Sequence, residues 1–408
     1  MKIILSHPTG NVNVREVADA FVKAGFLEKF YTCIAVFQNT ISYSLSTFGP
    51  LKEFRRRSFP SKLKPFTCTR PFLELGRMAS QKLGYQNALK HEQGIFCVDK
   101  VYRDLDSHVS KKLNNNIAVY AYEDGACESF KRARSQGIIC LYDLPTGYWR
   151  AHTKLLEKER IERPEWEMTL TSFKDSEIKL QRKDEELSMA DAIFVASNFT
   201  KKTLELFPGK LAPIHIVPYG FPEVYKNRKY EDLANRKLKL LFVGGLSQLK
   251  GIANLFEAVN CLGDRVELTI VGRKVVQRCI PLEKELKKHN WIPSLPHDQI
   301  LSLMRTQDIF VFPSLFEGYG LVVAEAMSQG MPVITTTRTC GTDFILNGEN
   351  GWLIEPGETQ ELVKIIEHIL SHPEIIPQIG KAAIATAGES PFSIYGNRMV
   401  EIINEIIK

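Results

Sequence analysis

The chain has no run of apolar residues approaching the roughly 18 that cross a bilayer, which argues against a membrane-spanning helix. Its opening run, Met1 to Ser6, is too short for the apolar core of a secretion signal and reads as a first strand. The expected location is the cytoplasm, either free or peripheral at the inner face of the membrane. Eight cysteines are scattered with no Cys-x-x-Cys pair, which disfavours a zinc site and a disulfide framework and predicts free thiols. Charge of one sign is also scarce. A net +6 over 408 residues does not argue for nucleic acid in the absence of a recognisable binding motif.

What is present is a soluble composition, 44% apolar and 25% charged, with length for two or three domains. Strand-like and helix-like patterns alternate twice over. In the first half, Lys2 to Ser6, Tyr31 to Phe37, Ile117 to Tyr122, Ile138 to Tyr142, Asp191 to Val195 and Ile214 to Val217 read as strands. In the second, Leu238 to Val243, Val266 to Val271, Ile309 to Phe312, Pro332 to Thr336 and Trp352 to Ile354 do so, and a turn is expected at Cys340 to Asp343. Such alternation predicts an α/β protein of two Rossmann-like, doubly wound parallel-sheet domains with a cleft between them. The expected boundaries are 1–222, a polar linker over 223–237, a second domain over 238–390, and a C-terminal helix over 391–408 whose apolar face needs a partner surface.

The most informative stretch is Ile309 to Gly330, IFVFPSLFEGYGLVVAEAMSQG: a strand, a glycine-punctuated loop and a helix. Glu317 lies in the loop and Glu325 inside the helix, while Gly318 and Gly320 keep the backbone bare. A helix start offers N–H groups and a positive dipole end to phosphate, and carboxylates suit neighbouring hydroxyls. The same residues also suit an ordinary buried strand and helix with two incidental acids. Gly244 and Gly245 follow another strand, ahead of Lys250, in a loop of the kind that lets backbone N–H groups and a cation meet a pyrophosphate. In the first half Glu123 and Asp143 sit at two successive strand ends, where parallel sheets place ligands. Capping by Asp124 and a turn acid at Asp143 are the plainer readings. Cations from Lys52 to Arg70, interleaved with phenylalanines, suit either an anionic membrane surface through 52–72 or a solvated loop. His368 and His372 have metal-binding spacing but fall where Pro373 ends a helix.

Glu317, seven residues, then Glu325, set in EGYGLVVAEAMSQGMPVI, resembles the signature of retaining GT-B glycosyltransferases of family 4. The resemblance implies a hexosyltransferase-type enzyme of the GT-B fold, with the last helix crossing back onto the first domain. It assigns Glu325 to the ribose hydroxyls and Glu317 to the transferred sugar, with the backbone of Gly318, Tyr319, Gly320 and Leu321 around sugar and phosphate. The loop at Gly244 resembles the family's Gly-Arg-Leu, three residues, Lys-Gly pattern, except that Gly245 replaces the arginine. Lys250 is then the main phosphate cation, with Arg273 a candidate for phosphate, base or ribose. Gly10 and Asn11 resemble a reduced glycine loop near donor phosphates and acceptor. Asp143 stands where many members carry a histidine, so Asp143 and Glu123 are candidates for acceptor base or sugar ligand.

The implied partners are a nucleotide-sugar donor, UDP- or GDP-linked, and a glycan or lipid-linked acceptor, in polysaccharide or glycoconjugate synthesis. No metal and no cofactor is expected, protein cations taking that role, and no Asp-x-Asp motif is placed to hold a metal. A nucleotide-sugar epimerase or hydrolase, or a non-catalytic nucleotide-sugar-binding protein, would use the same fold.

Overall fold

A computed structural model describes residues 2–40, 43, 49–114, 117–234 and 236–407. Met1, Asn235 and Lys408, which fall within the expected first strand run, linker and last helix, lie outside the described residues, as does the Lys52 side chain.

The strands of the first half are β1 (Lys2–Ser6), β2 (Leu27–Thr32), β3 (Val36–Phe37), β4 (Ser58–Phe59), β5 (Thr67–Thr69), β6 (Ile117–Tyr122), β7 (Cys140–Leu144), β8 (Ala192–Val195) and β9 (Ile214–Ile216). Seven of them form one parallel sheet in the order β5-β2-β1-β6-β7-β8-β9, and β3 pairs with β4. The second half contributes β10 (Leu238–Val243), β11 (Val266–Val271), β12 (Asn290–Ile292), β13 (Ile309–Phe312), β14 (Val333–Thr336) and β15 (Trp352–Ile354), parallel in the order β12-β11-β10-β13-β14-β15. Buried parallel strands need apolar residues on both faces, and β7, β8, β13 and β14 are buried at every position. Two departures from the sequence pattern stand out. The expected strand Tyr31 to Phe37 is two strands, because Cys33 N–H and Thr32 Oγ1 both donate to Pro8 O and turn the chain. The Cys340 turn closes into a short helix, Gly341–Phe344.

In each sheet the chain leaves its first strand in both directions, between β1 and β6 and between β10 and β13. These switch points are where open α/β sheets leave a crevice at the carboxyl ends of their strands. Several contacts hold the two crevices face to face. The Phe392–Ile407 helix packs on the Val12–Lys23 helix, with Tyr395 edge-on to Tyr219 at 5.1 Å and Met399 Sδ 3.7 Å from the Tyr120 hydroxyl oxygen. Where the chain crosses between the halves in each direction, Phe221 bridges Pro391. Ser197 Oγ and Thr200 Oγ1 donate to Gly318 O at 2.6 and 2.7 Å, pinning the central loop of the second half to the first.

Candidate active site

Gly320 takes φ +89°, and from it the Leu321–Ser328 helix starts, so its first N–H groups point out of the helix end. Beside it, Gly251 at φ +68° turns the chain from Lys250 into the Ile252–Leu262 helix. A Cβ at Gly251 would lie 1.9 Å from Pro313 O, so the loops after β10 and β13 touch only because this residue is glycine. Their closeness brings Lys250 Nζ onto Glu317 Oε2 in a half-buried ion pair.

That pair separates two cavities between the domains. The first, about 260 Å³, is lined by Asn11, Asn13 and Tyr219 from one side and by Gly244, Lys250, Glu317 and Tyr319 to Val322 from the other. The second, about 370 Å³, has Thr146, Trp149, His152, Phe173 and Lys183 facing Lys250, Glu317 and Gly318. Cation, carboxylate and helix start thus converge on one cavity, which suits a diphosphate joined to a polyhydroxylated group.

The other anticipated residues are distributed less simply. Glu325 lies in the Leu321–Ser328 helix and accepts a hydrogen bond from His297 Nε2 at 3.0 Å, which holds the imidazole above its ordinary value. Gly244 lines the cavity, but its N–H is bonded to Val271 O at 3.0 Å and belongs to the sheet ladder rather than to a phosphate. Gly245 follows it in the same loop, where Leu246 N–H donates to Arg273 O. The Arg273 side chain is exposed and lines neither cavity, because β11 ends one strand away from the switch point. Gly10 has φ +55° and touches Phe59, where a Cβ would clash. Asn11 caps the Val12–Lys23 helix, Oδ1 accepting from Val14 N–H at 3.0 Å, while its outer edge lines the first cavity.

Asp143 is set back from the cleft. It is buried at 3% exposure under Tyr120, whose hydroxyl donates to Asp143 Oδ2 at 2.6 Å, and it lines neither cavity. Burial pushes its carboxyl up to about 7, with the Tyr120 hydrogen bond opposing. The cause is its position inside β7 rather than after it. Glu123 sits nearer: Thr146 Oγ1 donates to it at 3.2 Å and Lys183 Nζ pairs with it at 3.3 Å, both partners lining the second cavity. Burial raises the Glu123 carboxyl against the pull of Lys183.

Several residues had no sequence signal. His7, directly after β1, accepts from Thr9 N–H and Gly10 N–H through Nδ1 at 3.1 and 2.9 Å, and burial lowers it to about 3, so it is the neutral organiser of that loop. His152 is buried in the second cavity wall edge-on to Phe316 at 4.8 Å, and burial with the Lys183 charge lowers it to about 4. Asn13, Lys183 and His297 complete the set; nothing in their local spacing marks them. Among the described residues, His91, Glu92 and Asp175 lie close enough to share an ion. Their carboxylates instead hold the start of the Glu177–Met189 helix, Glu92 through Ser176 N–H and Oγ and Asp175 through Lys179.

Residues 224–386 match the family model described as glycosyl transferases group 1. The chain is 28% identical over 158 residues to the capsular polysaccharide biosynthesis glycosyltransferase CapM of Staphylococcus aureus, covering 37% of this chain and 42% of that one. It is 31% identical over 189 residues to sucrose synthase of Melioribacter roseus, covering 38% and 24%. The match therefore spans less than half the length of these curated relatives. The Anabaena protein HepE, solved in complex with UDP and glucose, superposes over 99% of this chain and all of its own with TM-score 0.64 at 16% identity. The chain thus has the two-domain GT-B fold, and its second half, which carries Lys250, Glu317 and Glu325, is the part that matches the glycosyl transferases group 1 family.

Proposed function

We propose that this protein is a retaining glycosyltransferase of family 4 that moves a sugar from a UDP- or GDP-linked donor to a glycan or lipid-linked acceptor in polysaccharide or glycoconjugate synthesis. The observation that carries the reading is the meeting of Lys250, Glu317 and the Leu321–Ser328 helix start on one cavity between the two switch points. In this reading the donor diphosphate takes the helix start and Lys250, which releases Glu317 toward the sugar. Departing phosphate charge is stabilised by the cation and the helix dipole, and the oxocarbenium-like transition state by the carboxylate. Glu325 holds the ribose hydroxyls. The second cavity, with Trp149 and Phe173 as apolar walls and Thr146 and Lys183 as polar groups, receives the acceptor. The names of CapM and the HepE complex with UDP-glucose support this assignment of chemistry.

The test is a thermal-shift and turnover screen against UDP-, GDP-, ADP- and dTDP-sugars, with Glu325→Ala as control. Stabilisation by one nucleotide class that the variant loses supports the site, and an α-configured product from an α-donor supports retention. Inversion removes the retaining assignment. Free sugar or an epimer as sole product, with every acceptor tried, selects a hydrolase or epimerase instead.

A further inference from the structure

The Phe72–Leu83 helix is turned the wrong way round for a soluble protein. Positions 72, 75, 79 and 83 fall within one narrow stripe at helical spacing, and Phe72, Leu75, Ala79 and Leu83 on it are all exposed. Its opposite side buries Glu74 and Met78. The stripe continues into the segment that follows: Phe72, Leu83, Tyr85, Ile95 and Val98 are between 54% and 75% exposed. Phe96 ties the segment together, since its ring faces Phe72 at 6.5 Å and lies against Gly76, where a Cβ would sit 2.3 Å from it. Six of the thirteen large apolar residues exposed among the described residues lie between Phe72 and Val98.

Cations predominate around this patch. From Phe54 to Val98 the chain carries nine lysines and arginines and two carboxylates, Glu74 and Glu92. Glu92 is taken up by Ser176 N–H and Oγ, and Glu74 is 1% exposed between Arg57 and Arg77, at 2.7 Å from each, so it presents no negative charge at the surface. Lys62 and Arg70 are engaged with Asp19 and Asp104 in the fold itself. Arg55, Arg56, Lys64 and Lys90, in the segments that flank the apolar stripe in sequence, are exposed.

We propose that the Phe72–Val98 face, bordered by these cations, docks on an anionic lipid bilayer, inserting Phe72, Leu83 and neighbouring apolar side chains at the headgroup boundary. Exposed aliphatic and aromatic side chains gain by leaving water, and the surrounding ammonium and guanidinium groups gain from anionic headgroups. A neutral protein partner would match the stripe but offer no counter-charge to the cations beside it. This differs from the sequence expectation of a membrane surface through 52–72, where Phe59 and Leu63 are fully buried and several cations are held by internal acids. It stands independently of the donor reading, because lipid binding needs no turnover.

Sedimentation of the purified full chain with phosphatidylcholine vesicles, with and without 30 mol% phosphatidylglycerol as a roughly physiological anionic fraction, tests it. The expected result is binding to the anionic vesicles only, weakened by 0.5 M salt, which shortens the screening length to a few Å. Phe72→Ser with Leu83→Ser should partition about tenfold or more weaker, with unchanged thermal melting because both side chains are already exposed. A separate Arg55→Gln, Arg56→Gln variant should lose the preference for anionic lipid. Equal sedimentation with and without vesicles, or binding untouched by both variants, overturns the proposal.

Discussion

Asp143 and His297 show how a single environment fixes what an ionisable group does. Asp143 keeps its proton to about 7 in the fold, whereas in the unfolded chain it ionises near 3.8. The folded state therefore binds the extra proton between those values, and stability falls as pH rises through that window and levels off above it. Asp143→Asn, which preserves an acceptor for Tyr120, should stabilise the protein at pH 8 by about 2 to 4 kcal/mol at about 1.4 kcal/mol per unit, and change little at pH 4. Denaturant unfolding at the two pH values reads this. Turnover of the same variant should stay within about tenfold of wild type, because the carboxyl lies behind the cleft; a loss of a hundredfold or more, the scale of a positioned acid–base group, would return Asp143 to the chemistry. His297 is the opposite case. Its pairing with Glu325 raises it above 6.5, so the contact is at full strength below 6.5 and fades as pH climbs past the raised value. If Glu325 binds ribose, nucleotide affinity should improve about two- to fivefold from pH 6 to pH 8.5, the scale of an exposed ion pair, and His297→Ala should abolish that dependence in calorimetric titrations. If the donor diphosphate takes Lys250, Lys250→Ala should lower kcat/KM by about a hundredfold or more, because the departing phosphate then loses its cation.

At the level of elements, the site is a product of two loops that touch. Gly251→Ala places a methyl in the left-handed region and against Pro313 O. The conformational cost alone is about 1 to 2 kcal/mol, and the clash adds to it by prising the β10 and β13 loops apart. Both the melting temperature and the nucleotide-induced thermal shift should drop. A variant that melts lower yet binds nucleotide normally would show that the Lys250–Glu317 juxtaposition does not depend on this contact. The strand–loop–helix from Ile309 to Ser328 was legible in the sequence because its punctuation is local: an apolar run, Pro313, and glycines ahead of an apolar helix. The break between Thr32 and Val36 was not, because Pro8, distant in sequence, supplies the acceptor that turns the chain.

For the whole molecule, the decisive contact is Gly318 against the first domain. A Cβ there would lie 2.2 Å from Pro145 O, and its carbonyl already accepts from Ser197 and Thr200. Gly318→Ala should wedge the halves apart, lowering turnover by tenfold or more through misplacement and making residues 223–237 more susceptible to protease. Unchanged turnover would show that the closed arrangement is not the reacting one. Sequence by itself determined the two alternating halves, the parallel sheets and the glycine and acid punctuation around Glu317 and Glu325, since periodicity, turn chemistry and helix starts act over a few residues. Only the tertiary structure decided that Asp143 is sealed behind the cleft, that His7 holds the loop ahead of Asn11 while His152 stands in the cleft wall, that Lys250 reaches Glu317, and that the Phe72–Leu83 helix shows its apolar side to the outside. Burial and long-range pairing depend on which surfaces the chain folds against, and a local pattern of residues does not carry that information.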